Sequence, residues 1–348
     1  MFNRKLTTVM AVTAAATLHL SACAIGGGGS SENGEDNIVV SYNTPEEWAN
    51  WREVLDKFTE ETGIDAPNDP KNSGQTLSAL SAEKAAPAAD VAYYGIVFGM
   101  NAQEEDLITP YQPEGFDAVP DNLKDPEGNW FTVHQGAVAM LVNTDELGDA
   151  EVPRCWEDLK DPHYKDMVGY LNPTQAAVGY SVLTAANLGL GGDLDNFEPG
   201  LEWAEEMAAN GAQTPAQTAT SSVQQGEIPI LIDADFNGYM LANEGSPIEV
   251  VYPCEGTLSI PYTMSLVNGA PHEENGKALL DYVLPDAAQQ EFAASFLRPV
   301  REDVELPQEA QDAFPSDEEY NELVNDTDFE KMNEVQDDVM ASYEERVR

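Results

Sequence analysis

The stretch Asn37-Ile38-Val39-Val40-Ser41-Tyr42, followed by Pro45 to Thr62, decides the architecture. Ile38, Val39 and Val40 form a continuous apolar run, the pattern of a buried strand. Behind it Trp48, Trp51, Leu55 and Phe58 recur at helical spacing, and Gly63 stops the helix. Strand followed by amphipathic helix is the start of a βα unit. Both tryptophans read as core packing rather than as ligand-stacking groups.

Working outward, the alternation continues. Thr76 to Lys84 reads as a helix, Asp90 to Phe98 as a buried strand, and Gly136 to Asn143 as another strand. Asp166 to Leu171 is a short strand, Gln175 to Leu188 an Ala-rich helix, and Pro199 to Ala209 a helix carrying Leu201, Trp203 and Met207. Ile228 to Asp233, Glu249 to Tyr252 and Ser259 to Val267 continue the strand pattern, and helices fit Glu273 to Leu284 and Asp286 to Leu297. Repeated strand–helix alternation predicts an α/β architecture with largely parallel sheets. The acidic tail, Gln308 to Arg348, reads as helical, either wrapping a lobe or partly mobile.

The first residues read as a secretory signal, residues 1–22. Arg4 and Lys5 are its positive region, and the apolar run Val9 to Leu20 is too short to span a bilayer. Leu20-Ser21-Ala22-Cys23 resembles the bacterial lipobox, which implies cleavage before Cys23 and acylation of its thiol. Residues 23–36, with Gly26 to Gly29, then form a flexible, solvated tether. The expected location is extracytoplasmic, lipid-anchored to the outer face of the cytoplasmic membrane. Acylation of Cys23 leaves Cys155 and Cys254, an even remainder compatible with one disulfide or with two buried thiols.

The net charge is −47, from 63 acidic against 16 basic residues. Phosphate contacts require Lys and Arg, so nucleic acid is excluded as an ordinary partner, and docking on anionic lipid is disfavoured. Charge spread so evenly describes a solvated coat rather than a site. About 310 residues remain after leader and tether, enough for two lobes.

With these pieces in order, the chain resembles the extracellular solute-binding proteins of ABC importers, in the branch of ferric-iron, phosphonate, polyamine and thiamine binders. The resemblance rests on Val39 to Tyr42 with Phe58 to Gly63, on Leu141 to Asp145 followed by Pro153 and Trp156 to Leu159, on Gln225 to Ile230, and on Ala270 to Ala278. It implies a two-lobed type II periplasmic-binding-protein fold with hinge crossing strands. Lobe one would hold residues 37–140 plus 262–348, and lobe two residues 141–261. The resemblance implies partners as well: a small-molecule ligand, an ABC permease and its ATPase, and the membrane through the lipid anchor. The chain would act as a monomer. On this layout Cys155 and Cys254 fall together in lobe two, where a bridge is geometrically sensible.

In open α/β sheets, ligands sit beyond the C-terminal ends of strands. That rule selects Ser41, Tyr42, Asn43 and Thr44 after the first strand, then Ser73, Gly74, Gln75 and Thr76 at a helix start. It also selects Tyr93 and Tyr94, then Asn172, Thr174 and Gln175, then Asp233, Asp235 and Asn237, and finally Tyr262 near the return crossing. Acids closing the apolar strand Ile228 to Asp233 point to a cationic group, which suits a polyamine or a thiamine-like amine. Ser, Thr and helix-start amides would instead suit a phosphonate or phosphate ester. Ferric binders typically carry adjacent tyrosines beyond this strand. Here the stretch reads Asp235-Phe236-Asn237-Gly238-Tyr239, which lacks that pair.

A secreted enzyme or a sensor domain on the same fold are the rival readings. No G-x-S-x-G, H-E-x-x-H or G-x-x-x-x-G-K-[ST] pattern occurs, and His19, His134, His163 and His272 are scattered. No catalytic residue, metal ligand or cofactor is assigned.

Overall fold

The computed structural model describes residues 37–348 apart from 47, 217, 218, 302, 326 and 348. The signal region, Cys23 and the tether lie outside the described residues. Elements follow in the order β1 (Ser41–Tyr42), α1 (Trp51–Thr62), β2 (Asn68–Asp69), α2 (Ser73–Glu83), β3 (Val91–Gly95), α3 (Ile96–Glu104) and β4 (Ile108–Thr109). Next come the long β5 (Phe131–Asn143), β6 (Val168–Tyr170), α4 (Ala177–Gly189), α5 (Glu198–Ala209), α6 (Thr220–Gln224), β7 (Ile230–Ala234), α7 (Asp235–Asn243) and β8 (Ile248–Val251). The chain returns along β9 (Thr257–Val267) to α8 (Glu273–Val283), α9 (Asp286–Ala294) and β10 (Arg298–Pro299). It ends with α10 (Gln308–Ala313), α11 (Asp317–Leu323), β11 (Val324–Asn325) and α12 (Phe329–Arg346).

The main strand order is β2-β1-β3-β9-β5-β7-β6. Two strands tie its halves together. The first half of β5 lies antiparallel to β9, with Gln135 opposite Pro261 and Gly136 opposite Ile260. Its second half leaves β9 and pairs with β7, Val138 opposite Ala234 and Val142 opposite Ile230, and with β8. The βα units hang on either side of this crossing, so the fold is two-lobed.

The expectation of largely parallel sheets is corrected. β1 is parallel to β2 and β3, and β6 to β7, but β9 runs against β3, β4 and β5, and β5 against β7, β8 and β10. The cause is the crossing itself, since strands that carry the chain between lobes run opposite to the units they join. Boundaries also differ. β1 is confined to Ser41–Tyr42, beyond the apolar run Ile38 to Val40, and β5 begins at Phe131 rather than Gly136. Asp90 to Phe98 does not stay extended: the chain turns into α3 at Ile96, directly after Gly95. Helix α1 starts at Trp51 because Ala49 and Asn50 are left-handed, with φ of 58° and 56°, which leaves Trp48 outside it. Helix α2 begins at Ser73 rather than Thr76, because Asn72 and Gln75 form a reciprocal capping box.

The core is continuous through both halves and rich in large rings, with Trp51, Tyr93, Trp156, Tyr170, Trp203, Phe236 and Phe292 all buried. Cys155 and Cys254 are joined by a disulfide, their Cα atoms 4.8 Å apart. Among the described residues no helix is long and apolar enough to cross a membrane.

Candidate functional site

A cavity of about 370 Å³ opens where the ends of β1, β2, β6 and β7 and the starts of α2 and α4 converge on β9. Its walls include Asn43, Trp48, Lys71 and Ser73 from one side, Ala177, Asp233 and Asn237 from the other, and Tyr262 from β9.

Each wall has a local cause. The turn after β1 closes through a contact of 2.5 Å between the Ser41 and Thr44 hydroxyls. Asn43 takes a left-handed conformation there (φ 65°), which its short polar side chain tolerates, and donates through Nδ2 to the Tyr93 carbonyl at 2.9 Å. Trp48, freed from α1, stacks on Phe236 at 5.8 Å and 14° and lies 5.4 Å from the Tyr262 ring. Tyr262 in turn stacks on Tyr93 at 5.4 Å. Burial and the nearby charges of Asp233 and Asp235 push the Tyr262 phenol well above its ordinary pKa, so it is a hydrogen-bond donor at any physiological pH.

Among the described residues that line the cavity, Lys71 is the one cation and Asp233 the one anion. Lys71 pairs with Asp69 and lies 4.3 Å from the centroid of the Tyr42 ring, whose hydroxyl donates to Glu83 at 2.8 Å. Asp233 is buried at the end of β7, and its Oδ1 accepts from the Ala234 amide at 2.8 Å. The first residues of α4, Ala177 and Val178, also face the cavity. No side chain caps that helix, so its opening amides and the positive end of its dipole favour negative charge.

The remaining candidates frame the cavity instead of lining it. Gly74 donates its amide to the Gln175 carbonyl at 3.1 Å, and beside it Asn72, itself in the cavity wall, donates through Nδ2 to the Ala216 carbonyl at 3.1 Å. These bonds close the seam between the halves. Gln75 caps α2, and the Thr76 hydroxyl returns to the Asn72 carbonyl. Asn172 Oδ1 accepts from the amide and the hydroxyl of Thr174, both at 2.9 Å, an Asx turn that leads into α4. Tyr93 shares a hydrogen bond of 3.0 Å with His134 Nε2, while Tyr94, on the opposite face of β3, donates to Ser265 at 2.8 Å.

Asp235, expected beside Asp233, is turned away from the cavity. β7 ends at Ala234 and α7 begins at Asp235, so strand alternation stops between the two acids. Asp235 Oδ1 accepts from the Ala137 and Phe236 amides, each at 2.9 Å, and Oδ2 from the Tyr252 hydroxyl at 2.7 Å. Burial raises its pKa, against the opposing pull of Arg298 and these donors. It ties α7 to β5 and to Tyr252 and is not part of the cavity wall. Lys71 and Trp48 escaped the sequence reading as cavity residues, while the expected helix start at Gln175 lies two residues later, at Ala177. The capping box Asn72-x-x-Gln75 was the available signal for Lys71, one of few basic residues and placed directly before a helix start.

A two-lobed α/β scaffold, with a small polar–aromatic cavity at the ends of strands from both halves, defines a solute-binding protein. Residues 86–335 match the bacterial extracellular solute-binding protein family, and the chain belongs to it. A periplasmic protein of Salmonella paratyphi A, provisionally named for binding 2-aminoethylphosphonate, is 30% identical over 282 residues, covering 78% of this chain and 77% of its own. The spermidine/putrescine-binding periplasmic protein of Salmonella typhimurium is 23% identical over 285 residues, covering 78% of this chain and 80% of its own. In fold, the chain is similar to the periplasmic binding protein AfuA from Actinobacillus pleuropneumoniae, with fructose-6-phosphate bound. That match has a TM-score of 0.79 at 23% identity over 89% of this chain and 98% of AfuA. The protein is therefore a solute-binding protein of the ABC-importer type, and its relatives are periplasmic or extracellular binding proteins.

Proposed function

We propose that the chain captures a small zwitterion, an ammonium joined to a phosphonate or phosphate ester, with 2-aminoethylphosphonate as the simplest case. The observation that carries this reading is that, among the described residues, one lysine and one aspartate line the same cavity of about 370 Å³. Asp233, beside the Tyr262 and Trp48 rings, suits the ammonium by charge and by cation–π attraction. Lys71 and the uncapped start of α4 suit the anion. A polyamine would leave Lys71 facing positive charge, and a simple phosphate would leave Asp233 facing negative charge. The amine and the phosphonate expected separately from the sequence become two ends of one ligand. The relative named for 2-aminoethylphosphonate supports this choice over the polyamine relative, which is less similar.

The lobes are assigned as residues 37–140 plus 262–348 and residues 141–261. The ligand bridges them and shifts an open–closed equilibrium by its differential affinity for the two states. The closed form, a monomer held at the membrane by lipid on Cys23, hands its cargo to the permease without chemical change.

Titration calorimetry of the purified chain tests the reading with 2-aminoethylphosphonate, ethylphosphonate, putrescine and ferric citrate. The zwitterion should bind at least tenfold more tightly than ethylphosphonate or putrescine, a difference of about 1.4 kcal/mol or more. Equal or tighter binding of putrescine would restore the purely cationic ligand, and binding of ferric citrate alone would replace both.

A further inference from the structure

Beyond β10 the chain touches both halves of the molecule twice more. Near the crossing, Phe314 lies 5.4 Å from Tyr239, and the Arg298 guanidinium packs 4.1 Å from the Phe314 ring and 3.7 Å from that of Tyr320. After Val324–Asn325 joins β9 at Thr257 and Leu258, α12 runs across the seam. Toward α3, Asn101 Nδ2 donates to Gln336 Oε1 at 2.8 Å and Asn333 Nδ2 to Glu104 at 2.7 Å. Toward α4 and α5, the Tyr180 hydroxyl donates to the Met332 carbonyl at 2.8 Å, and Arg346 pairs with Glu198 at 2.8 Å. Phe329 and Met332 are buried at a small void between Gly95–Val97 and Ala177–Ser181, where the halves meet. Gln336 and Met340 share a groove of about 670 Å³ with Asn72 and Gln175, residues of the closed rim.

We infer that α12 is a latch on the closed state. A helix anchored to both sides of a seam resists separation of those sides, so the cleft opens only when α12 releases one of them. The free energy of that hold adds to the ligand's own preference for the closed form and tightens the measured affinity. The inference rests on the reading that the cleft opens and closes around its ligand. It does not depend on which ligand that is.

The paired substitution Asn101→Ala with Glu104→Ala removes the polar hold toward α3 without touching the cavity. Calorimetry with 2-aminoethylphosphonate should show a Kd about tenfold higher than that of the unsubstituted chain, with faster dissociation. Lys331→Ala with Arg346→Ala, which removes the Lys331–Asp195 pair at 3.1 Å and the Arg346–Glu198 pair on the other side of the seam, should move Kd the same way. An unchanged or lower Kd in both pairs overturns the latch. If the unsubstituted chain does not bind this probe, the ligand reading has failed, and small-angle scattering of the ligand-free chains decides the latch. Both variants must then be more extended than the parent, and identical scattering overturns the inference.

Discussion

At the scale of single residues, the two cavity charges should behave as separate subsites. Asp233→Asn keeps the shape of β7 and removes the anion, so 2-aminoethylphosphonate should bind about tenfold to a hundredfold more weakly. Ethylphosphonate, which has no amine, should be indifferent to that change or gain from it. Lys71→Gln should weaken both phosphonates and spare a simple amine, a crossed pattern that calorimetry reads directly. Asp235→Ala belongs to another class. It strands the Ala137 and Phe236 amides, the Tyr252 hydroxyl and the Arg298 charge in the interior, and should cost about 3–5 kcal/mol of stability, seen as a large drop in melting temperature. His134 carries a pH signature. Burial among Trp51, Tyr262 and Phe292 lowers its pKa to about 3, so it stays neutral in the fold while the unfolded chain takes up a proton near pH 6.5. Its contribution to stability is therefore present above pH 6.5 and lost as the pH falls from there toward 3, by up to about 1.4 kcal/mol per unit. Chemical denaturation against pH should show this slope in the parent and a shallower one in His134→Gln.

At the scale of elements, closure depends on how nearly two backbones approach. A Cβ at Gly74 would lie 2.9 Å from the Gln175 carbonyl oxygen, and the Gly74 amide already bonds that oxygen. Gly74→Ala should hold the rim apart, raising Kd by about tenfold while shifting the melting temperature by only a few degrees. An unchanged Kd would mean that the rim does not have to close. The same elements show what could be read before any coordinates. The run Ile230-Leu231-Ile232 announces a strand because burial on both faces leaves no room for alternation, whereas Val39-Val40 only leads into the short β1, with Val40 part-exposed. The first half of β5 was missed because His134 and Gln135 look polar, although His134 is fully buried in an aromatic nest. Ile96-Val97-Phe98 read as strand because three apolar residues in a row do not distinguish a buried helix from a buried strand. In the site, Asn43, Ser73, Asp233, Asn237 and Tyr262 were legible from their places at strand or helix ends. Trp48 was not, since its spacing fits helix α1 and only the left-handed pair Ala49 and Asn50 takes it out. Asp233 and Asp235 could not be told apart, because a strand ending one residue later would have put both in the cavity.

At the scale of the whole molecule, 63 acidic residues against 16 basic ones give a net charge of −47. Many of the basic groups are shared between acids. Lys57 sits between Glu53 and Glu291, Lys277 between Glu273 and Glu274, and Arg346 between Glu198 and Glu205. These exposed pairs add little individually, and the acids left over repel one another across the surface. The compact state concentrates that repulsion more than the unfolded chain does, so folding is opposed by a long-range term that mobile ions screen. The Debye length falls from about 30 Å at 0.01 M salt to about 3 Å at 1 M, which removes repulsion between neighbouring acids as well as distant ones. The melting temperature should therefore climb steadily with added potassium chloride, by several degrees or more between 0.01 M and 1 M. Cation capture in the cleft should run the other way. The diffuse negative field draws an ammonium-bearing solute inward and repels its phosphonate end, so a zwitterion with no net charge should bind with an affinity nearly independent of salt. Putrescine, as a net cation, should lose affinity as salt rises. Melting curves and titrations over one potassium chloride series separate the two effects: stability that rises while zwitterion affinity stays level assigns the charge to the coat. An affinity that collapses with salt would place it in the site.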